Sequence, residues 1–222
     1  MSNPPAEPAR TLQIGDTAPN FRARTTMGDI YLSDYRGQWV VVFSHPADFT
    51  PVCTSEFVAL SRMADQFAAL GCKLIAISID SLYAHLAWIR AIREHFGVEV
   101  GFPIVEDPSL VIGRAYGMIA EDAPDAATLR STFFIDPDGQ IRATLCYPAT
   151  IGRSVDEMLR VLAALQKVDS DNVILPEGWQ PGDDVLLPPH QNQAAVLGGD
   201  DAGCWFYRTR PDAAPSKAGA AR

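Results

Sequence analysis

The 222-residue chain is poor in cysteine, and its four cysteines, Cys53, Cys72, Cys146 and Cys204, are scattered. No two stand at the spacing of a zinc knuckle or a dithiol redox motif, and neither a metal nor a cofactor is expected. Lysine is scarce too: only Lys73, Lys167 and Lys217 occur, and the formal net charge is −9. A chain of that charge lacks the clustered cations that phosphate backbones require, which disfavours nucleic acid as a partner. No uninterrupted apolar run approaches the roughly 20 residues of a membrane span, so no membrane association is expected. Residues 1–10 are rich in Pro and Ala and have no apolar signal-peptide core. They read as a disordered leader of a cytoplasmic protein. In that compartment a disulfide framework is not expected, and the thiols are structural, catalytic or redox-sensing.

What is present is an ordinary globular interior, with 47% apolar residues, enough for one large domain with an appendage. Gly28-Asp29 signals a hairpin between a short polar strand, 22–26, and a second around Ile30. Trp39-Val40-Val41-Val42-Phe43 reads as a buried strand and Lys73 to Ile79 as a second apolar strand. Ser55 to Leu70 carries Phe57, Leu60, Met63, Phe67 and Leu70 on one helical face and stops at Gly71. A second helix is expected from about Ser81 to Phe96, a short strand at 103–105, and a short helix from Ser109 to Tyr116. Arg130 to Ile135 and Gln140 to Leu145 form a hairpin across Asp136-Pro137-Asp138-Gly139. Ser154 to Gln166 is a helix with Ser154 and Glu157 as a capping box. Strands alternating with helices imply an α/β sandwich with a mixed sheet, an order that suits a thioredoxin-like, three-layer fold.

The domain is expected over 11–168, followed by a C-terminal arm over 169–222. The arm is rich in Pro and Gly, too much so to build its own core. It nevertheless holds Trp179, Val185-Leu186-Leu187 and Trp205-Phe206-Tyr207. Those groups need a surface to cover, on the main domain or on a second copy, so a homodimer is expected. The last ten residues or so read as disordered.

The most informative position is Cys53. A buried strand leads into its run and a helical pattern leads out. Reactive sites of open α/β sheets lie beyond the carboxyl ends of strands. A cysteine where the chain enters a helix meets unpaired backbone N–H groups and the positive end of the helix dipole. Both favour a thiolate, the nucleophilic form.

Pro46-Ala47-Asp48-Phe49-Thr50-Pro51-Val52-Cys53 matches the P-x-x-x-T-x-x-C signature of peroxiredoxins. With Ser44-His45-Pro46 and Thr54, it is most similar to the one-cysteine subfamily of the AhpC/TSA superfamily. The likeness extends to Leu74–Asp80, Arg130–Asp136 and Tyr147-Pro148-Ala149-Thr150-Ile151-Gly152-Arg153, and covers residues from about 11 to 190. The resemblance implies a thiol peroxidase that reduces hydrogen peroxide and organic hydroperoxides through a sulfenic acid on Cys53, in antioxidant defence. It implies that Thr50 bonds peroxide and thiolate, that Pro46 shields the site, and that Arg130 stabilises thiolate and developing charge. Glu56 and Arg153 would orient Arg130, and His45 would line the site. The implied partners are a thiol reductant (thioredoxin, glutathione or another) and a second copy, with decamers left open.

Cys204 is the candidate resolving cysteine, because some similar bacterial and archaeal chains carry an arm cysteine near a Trp-Phe pair. Tyr207 stands where a second cysteine would complete that pattern. The Gly-x-Ser-x-Gly motif of some animal members is absent: Arg36-Gly37-Gln38-Trp39-Val40 has no serine nucleophile, so phospholipase activity is not implied. Cys72 and Cys146 read as core or interface thiols.

Other functions fit less well. A dithiol oxidoreductase needs a cysteine three residues after Cys53, where Glu56 stands. A cysteine hydrolase would use Cys53 with His45, His85, His95 or His190, and nothing in the spacing selects one as an oriented base. An oligomeric holdase or a peroxide sensor could share the scaffold.

Overall fold

The computed structural model describes residues 12–119, 127–198 and 204–212. The expected disordered leader and the last ten residues lie outside them. Contacts divide the chain into two compact units, one ending at Val155 and one beginning at Asp156.

The first unit is built on a seven-stranded mixed sheet. Its strands are β1 (Arg22–Thr25), β2 (Gly28–Tyr31), β3 (Trp39–Ser44), β4 (Cys72–Ser78), β5 (Ile104–Glu106), β6 (Arg130–Ile135) and β7 (Ile141–Tyr147). Their spatial order is β2-β1-β5-β4-β3-β6-β7. β3, β4 and β5 run parallel, and the remaining pairs are antiparallel. β3 lies between β4 and β6 and every one of its residues is buried, as a strand covered on both faces must be. Alternation divides its side chains. Val40 and Val42 join a core with Ile75, Ile77, Phe133 and Ile135. Phe43 points the other way and meets Phe57 and Phe102 with ring centres 5.9 and 5.8 Å apart.

Two helices cover that second face. α1 spans Pro51–Ala69 and α2 spans Leu82–Phe96. α1 starts four residues before the expected Ser55, because Pro51 takes the first helical position, where its missing N–H costs nothing and its fixed φ already suits a helix. α2 buries His85, Trp88 and Ile92, a stripe at helical spacing. The Ser81 side chain caps it by accepting from Ala84 N, and Gly97 ends it at φ 66°. A short α3 (Val111–Ala115) follows β5.

The second unit begins in α4, Val155–Ser170, and contains α5 (Gln193–Gly198) and a small antiparallel pair, β8 (Val185–Leu186) with β9 (Thr209–Arg210). Its small core is shared between the arm and α4. Val173, Trp179 and Val185 are buried together against Ala163, Ala164 and Leu175. α4 supplies the apolar face that the Pro- and Gly-rich segment lacks. Trp205, Phe206 and Tyr207 remain 39%, 62% and 56% exposed in the single chain.

A Cβ added at Gly97 would meet nothing within 4 Å, so substitution there costs only backbone conformation. Gly97→Ala should destabilise the protein by roughly 1 kcal/mol, the cost of an L-residue in the left-handed region, read as a lower midpoint of urea unfolding with unchanged slope.

Candidate active site

The first turn of α1 places Cys53. Thr54 N donates to Thr50 O at 2.9 Å, the first intrahelical bond. The N–H groups of Val52 and Cys53 therefore have no carbonyl one turn earlier to bond, and the positive end of the helix is left open beside the sulfur. Cys53 is the third helical residue and is fully buried. Glu56, three residues on, lies on the same helical face.

Arg130 enters from the first position of β6. Its Nη1 donates to Cys53 Sγ at 3.3 Å and to Glu56 Oε2 at 2.8 Å. Its Nε and Nη2 donate to Ala149 O at 3.0 and 2.6 Å, which locks the plane of the guanidinium. Arg153 takes the other side of Glu56. Its backbone N and Nε donate to Oε1 at 2.7 and 2.9 Å, and its Nη2 donates to Oε2 at 2.8 Å. Its Nη1 donates to Ser131 O and Thr132 Oγ1, and its guanidinium carbon sits 5.1 Å from the centre of the Phe43 ring, in reach of a cation–π contact.

Glu56, Arg130 and Arg153 are each under 8% exposed. Burial pushes the Glu56 carboxyl up, but the bonds and charge of Arg153, with the charge of Arg130, outweigh it and hold Glu56 below its usual value. Two guanidinium groups and one carboxylate leave one positive charge uncompensated. That charge faces Cys53 Sγ through Arg130, and a thiolate there brings the buried group to neutrality.

The structure thus brings Cys53, Glu56, Arg130 and Arg153 together. Pro46 is buried in the loop between β3 and α1. The Thr50 hydroxyl donates its proton to Ala47 O at 2.9 Å, which leaves its oxygen as an acceptor. His45 lies on the Phe43 face, where its ring packs on Phe57 and stacks on Trp88. Its Nε2 lies 2.9 Å from Asp48 Oδ1, and His85 Nδ1 lies 2.7 Å from Oδ2 of the same carboxylate. Burial pushes His45 below its ordinary value, against the pull of Asp48. Burial raises Asp48, and the two imidazole bonds more than reverse it.

The described bonds give the hydrolase reading no support: Cys53 Sγ takes its hydrogen bond from Arg130, while His45 and His85 bond Asp48 and His95 is exposed at the end of α2. Asp48 and the Ala149 carbonyl were not singled out by sequence reasoning. The stripe His85-Trp88-Ile92 carried the only advance signal of a buried polar residue on α2. Cys72 is buried and its thiol is pushed up to about 12 by burial, an inert core group. Cys146 is exposed on β7, at the outer edge of the sheet, and Cys204 is exposed in the second unit.

Comparison with known proteins places this geometry. The AhpC/TSA family matches residues 14–144, and the C-terminal domain of 1-Cys peroxiredoxin matches residues 164–197. A peroxiredoxin of Methanosarcina mazei is 41% identical over 213 residues, 90% of this chain and 97% of that protein. Peroxiredoxin 2 of Thermoplasma acidophilum is 47% identical over 173 residues, 78% of this chain and 86% of that protein. Among solved structures, the yeast mitochondrial 1-Cys peroxiredoxin, described with its thiol-resolving mechanism via glutathione/thioredoxin systems, aligns with TM-score 0.80 and 38% identity over 90% of this chain and all of that one. The reduced 2-Cys peroxiredoxin of Plasmodium vivax aligns with TM-score 0.74 and 30% identity over 84% and 98% of the two chains. The expected thioredoxin-like α/β fold stands.

Removing the carboxylate strands two buried cations. Glu56→Gln should destabilise the protein by about 3–5 kcal/mol, measured by chemical denaturation at neutral pH. The Glu56 carboxyl sits below its usual value in the fold, so its contribution is full above the unfolded value of 4.5. It is lost as pH falls below that value and through the folded one. The stability difference between Glu56→Gln and wild type should shrink correspondingly below about pH 4.5.

Proposed function

The chain belongs to the AhpC/TSA family, in its one-cysteine branch, and on that premise we propose that Cys53 is the peroxidatic residue of this thiol-dependent peroxidase. The observation that carries the assignment is the Arg130 nitrogen that donates at once to Cys53 Sγ and to Glu56.

The reaction reduces a hydroperoxide with electrons from a thiol. Thiolate Cys53 attacks the terminal peroxide oxygen in line. The S–O bond forms as the O–O bond breaks. Sulfur is oxidised by two electrons to sulfenic acid, and hydroxide or alkoxide leaves and takes up a proton as water or alcohol. Charge moves from sulfur towards the leaving oxygen, so a fixed cation beside both stabilises the transition state more than the ground state. Arg130 fills that role, with Ala149 O fixing its plane. Arg153 acts through Glu56 to hold Arg130 in place. Thr50 has spent its donor on Ala47 and accepts the peroxide proton, which orients the terminal oxygen at the sulfur. Pro46 closes the wall that keeps water out.

The sulfenic acid is recycled by a thiol. A thiol condenses with Cys53–SOH, releasing water and leaving a disulfide, which a second thiol reduces. Two sources of the first thiol are open to this chain: Cys204, which is exposed, or an external reductant such as glutathione or thioredoxin. Glutathione and thioredoxin systems resolve the yeast relative, by its description. The exposed Trp205-Phe206-Tyr207 supports assembly as a homodimer with the aromatic run covered. No helix among the described residues is long and apolar enough to cross a membrane, and the reading of a cytoplasmic enzyme stays with the sequence features above. No observation favours a holdase role.

Peroxide consumption with a thiol reductant tests the assignment. Cys53→Ser should abolish it, and full activity in that variant would refute the role of Cys53. Arg130→Lys loses the shared donor and should lower the second-order rate with peroxide by about 100-fold or more. Mass mapping after one equivalent of peroxide should find either a Cys53–Cys204 disulfide or Cys53 sulfenic acid, and so name the resolving thiol.

A further inference from the structure

The catalytic cluster leaves a second buried group of titratable side chains unexplained. Asp48 lies in the loop between β3 and α1, and its side chain is 2% exposed. Its two oxygens meet His45 Nε2 and His85 Nδ1, and both histidine side chains are fully buried. The outer ring nitrogens, His45 Nδ1 and His85 Nε2, are buried without a hydrogen-bond partner.

An ionised carboxylate only accepts, so each inner nitrogen carries the proton and donates it to Asp48. The outer nitrogens are then bare lone pairs. A metal ion would require the reverse, with lone pairs turned inward and an N–H on each outer nitrogen. Metal-bound histidines almost always place that outer N–H on an acceptor. Neither outer nitrogen has one here, so the group is built as a hydrogen-bonded clamp rather than as a cation site.

What the clamp joins is informative. Asp48 stands two residues before Thr50, the residue just before the first turn of α1, and His85 stands on α2. The loop is braced elsewhere as well. Asp48 N donates to Asp80 Oδ2 at 3.0 Å, His45 N donates to Ile77 O at 3.0 Å, and Thr128 Oγ1 donates to His45 O at 2.9 Å. A second link leaves α2 one turn further on. Trp88 stacks on His45 and its Nε1 donates to Thr54 Oγ1 at 3.3 Å, while Thr54 Oγ1 donates to Thr50 O at 2.7 Å. Both links end on the first turn of α1 or on the loop that feeds it.

We propose that Asp48 and His85 are positioning residues for Cys53: their buried hydrogen bond holds the loop onto α2 and so keeps the first turn of α1 where the sulfur faces Arg130. The inference rests on the peroxidatic role of Cys53. Without the bond, the first turn is free to move. The peroxide step then slows because the sulfur is misplaced relative to Arg130. Cys53, now fully buried, becomes easier for larger reagents to reach.

Two polar variants of His85 separate a donor from a mere space-filler. His85→Asn sets an amide N–H near the Nδ1 position and keeps a donor for Asp48. His85→Gln extends towards the Nε2 position and lacks it. Two rates are measured on the full chain: oxidation of Cys53 by hydrogen peroxide, and alkylation of Cys53 by iodoacetamide followed by peptide mass mapping. His85→Asn should stay within about threefold of wild type on both. His85→Gln should slow oxidation by about tenfold or more and speed alkylation by a similar factor. Equal rates in the two variants, a Gln variant that matches wild type, or one whose alkylation is not faster would overturn the proposal. Should His85→Gln fail to fold, Asp48→Leu, which is of similar shape and has no acceptor for His85, takes its place with the same expected pair of changes and the same overturning results. Peroxide consumption that persists in Cys53→Ser would instead refute the reading of Cys53 and is scored separately.

Discussion

Glu56 lies 2.8 Å from a nitrogen of each of two buried guanidinium groups, and the rest of the site is arranged to make that tolerable. A buried ion costs several kcal/mol in lost hydration, and attraction repays it only where geometry is good and remaining donors are satisfied. Here they are met from three directions. The Ala149 carbonyl takes two bonds from Arg130, and the Ser131 carbonyl and Thr132 hydroxyl take bonds from Arg153. The backbone N of Arg153 joins its own side chain on Glu56. One arrangement of β6, the turn before Arg153 and the first turns of α1 meets all of these demands. The fold is therefore specified at the site by charge as much as by packing, and the surplus positive charge comes to rest on the nucleophile.

This ties reactivity to architecture in a way helix placement alone does not. Any cysteine near a helix start meets orphan N–H groups. Selectivity for a peroxide needs a cation held rigidly beside both sulfur and leaving oxygen. Arg130 is rigid because it is bonded on both edges, with one nitrogen shared between sulfur and carboxylate. A lysine in its place would offer a point charge on a flexible stem and no fork to fix its direction.

Much of this was legible in the chain. The succession of strands and helices along the chain, the end of α2 at Phe96 and the β6–β7 hairpin followed from periodicity and turn residues. Cys53 stood out by its place before a helix, Glu56, Arg130 and Arg153 were implied by the family resemblance, and the structure joins the four. Three things were not legible, each for a physical reason. The start of α1 was set four residues late because Thr-Pro-Val-Cys has no helical periodicity, and only Pro51 signals the first turn. The grouping of α4 with the arm escaped because Ala163 and Ala164, which pack on Val173, Trp179 and Val185, are too small to mark a face. The Asp48–His85 bond joins residues 37 apart in sequence, and no local pattern reports such a pair. The resemblance named Thr50, but the direction of its hydroxyl depends on the Ala47 carbonyl, which only the folded loop brings within reach.

The buried clamp also gives a physical reading of Phe49. This residue has φ 58° and a side chain 60% exposed. An L-residue there carries roughly 1–2 kcal/mol of backbone strain, and an exposed ring recovers little of it by packing. Such a conformation persists only where the flanks over-determine it. Asp48 on one side is fixed by two histidines and by Asp80, and the Thr50 carbonyl on the other accepts from Thr54 N and Oγ1. The strain is thus stored between the clamp and the nucleophile. Cys53 has no accessible surface in this arrangement, so the contacts that hold the strained turn are also those that keep the sulfur against Arg130.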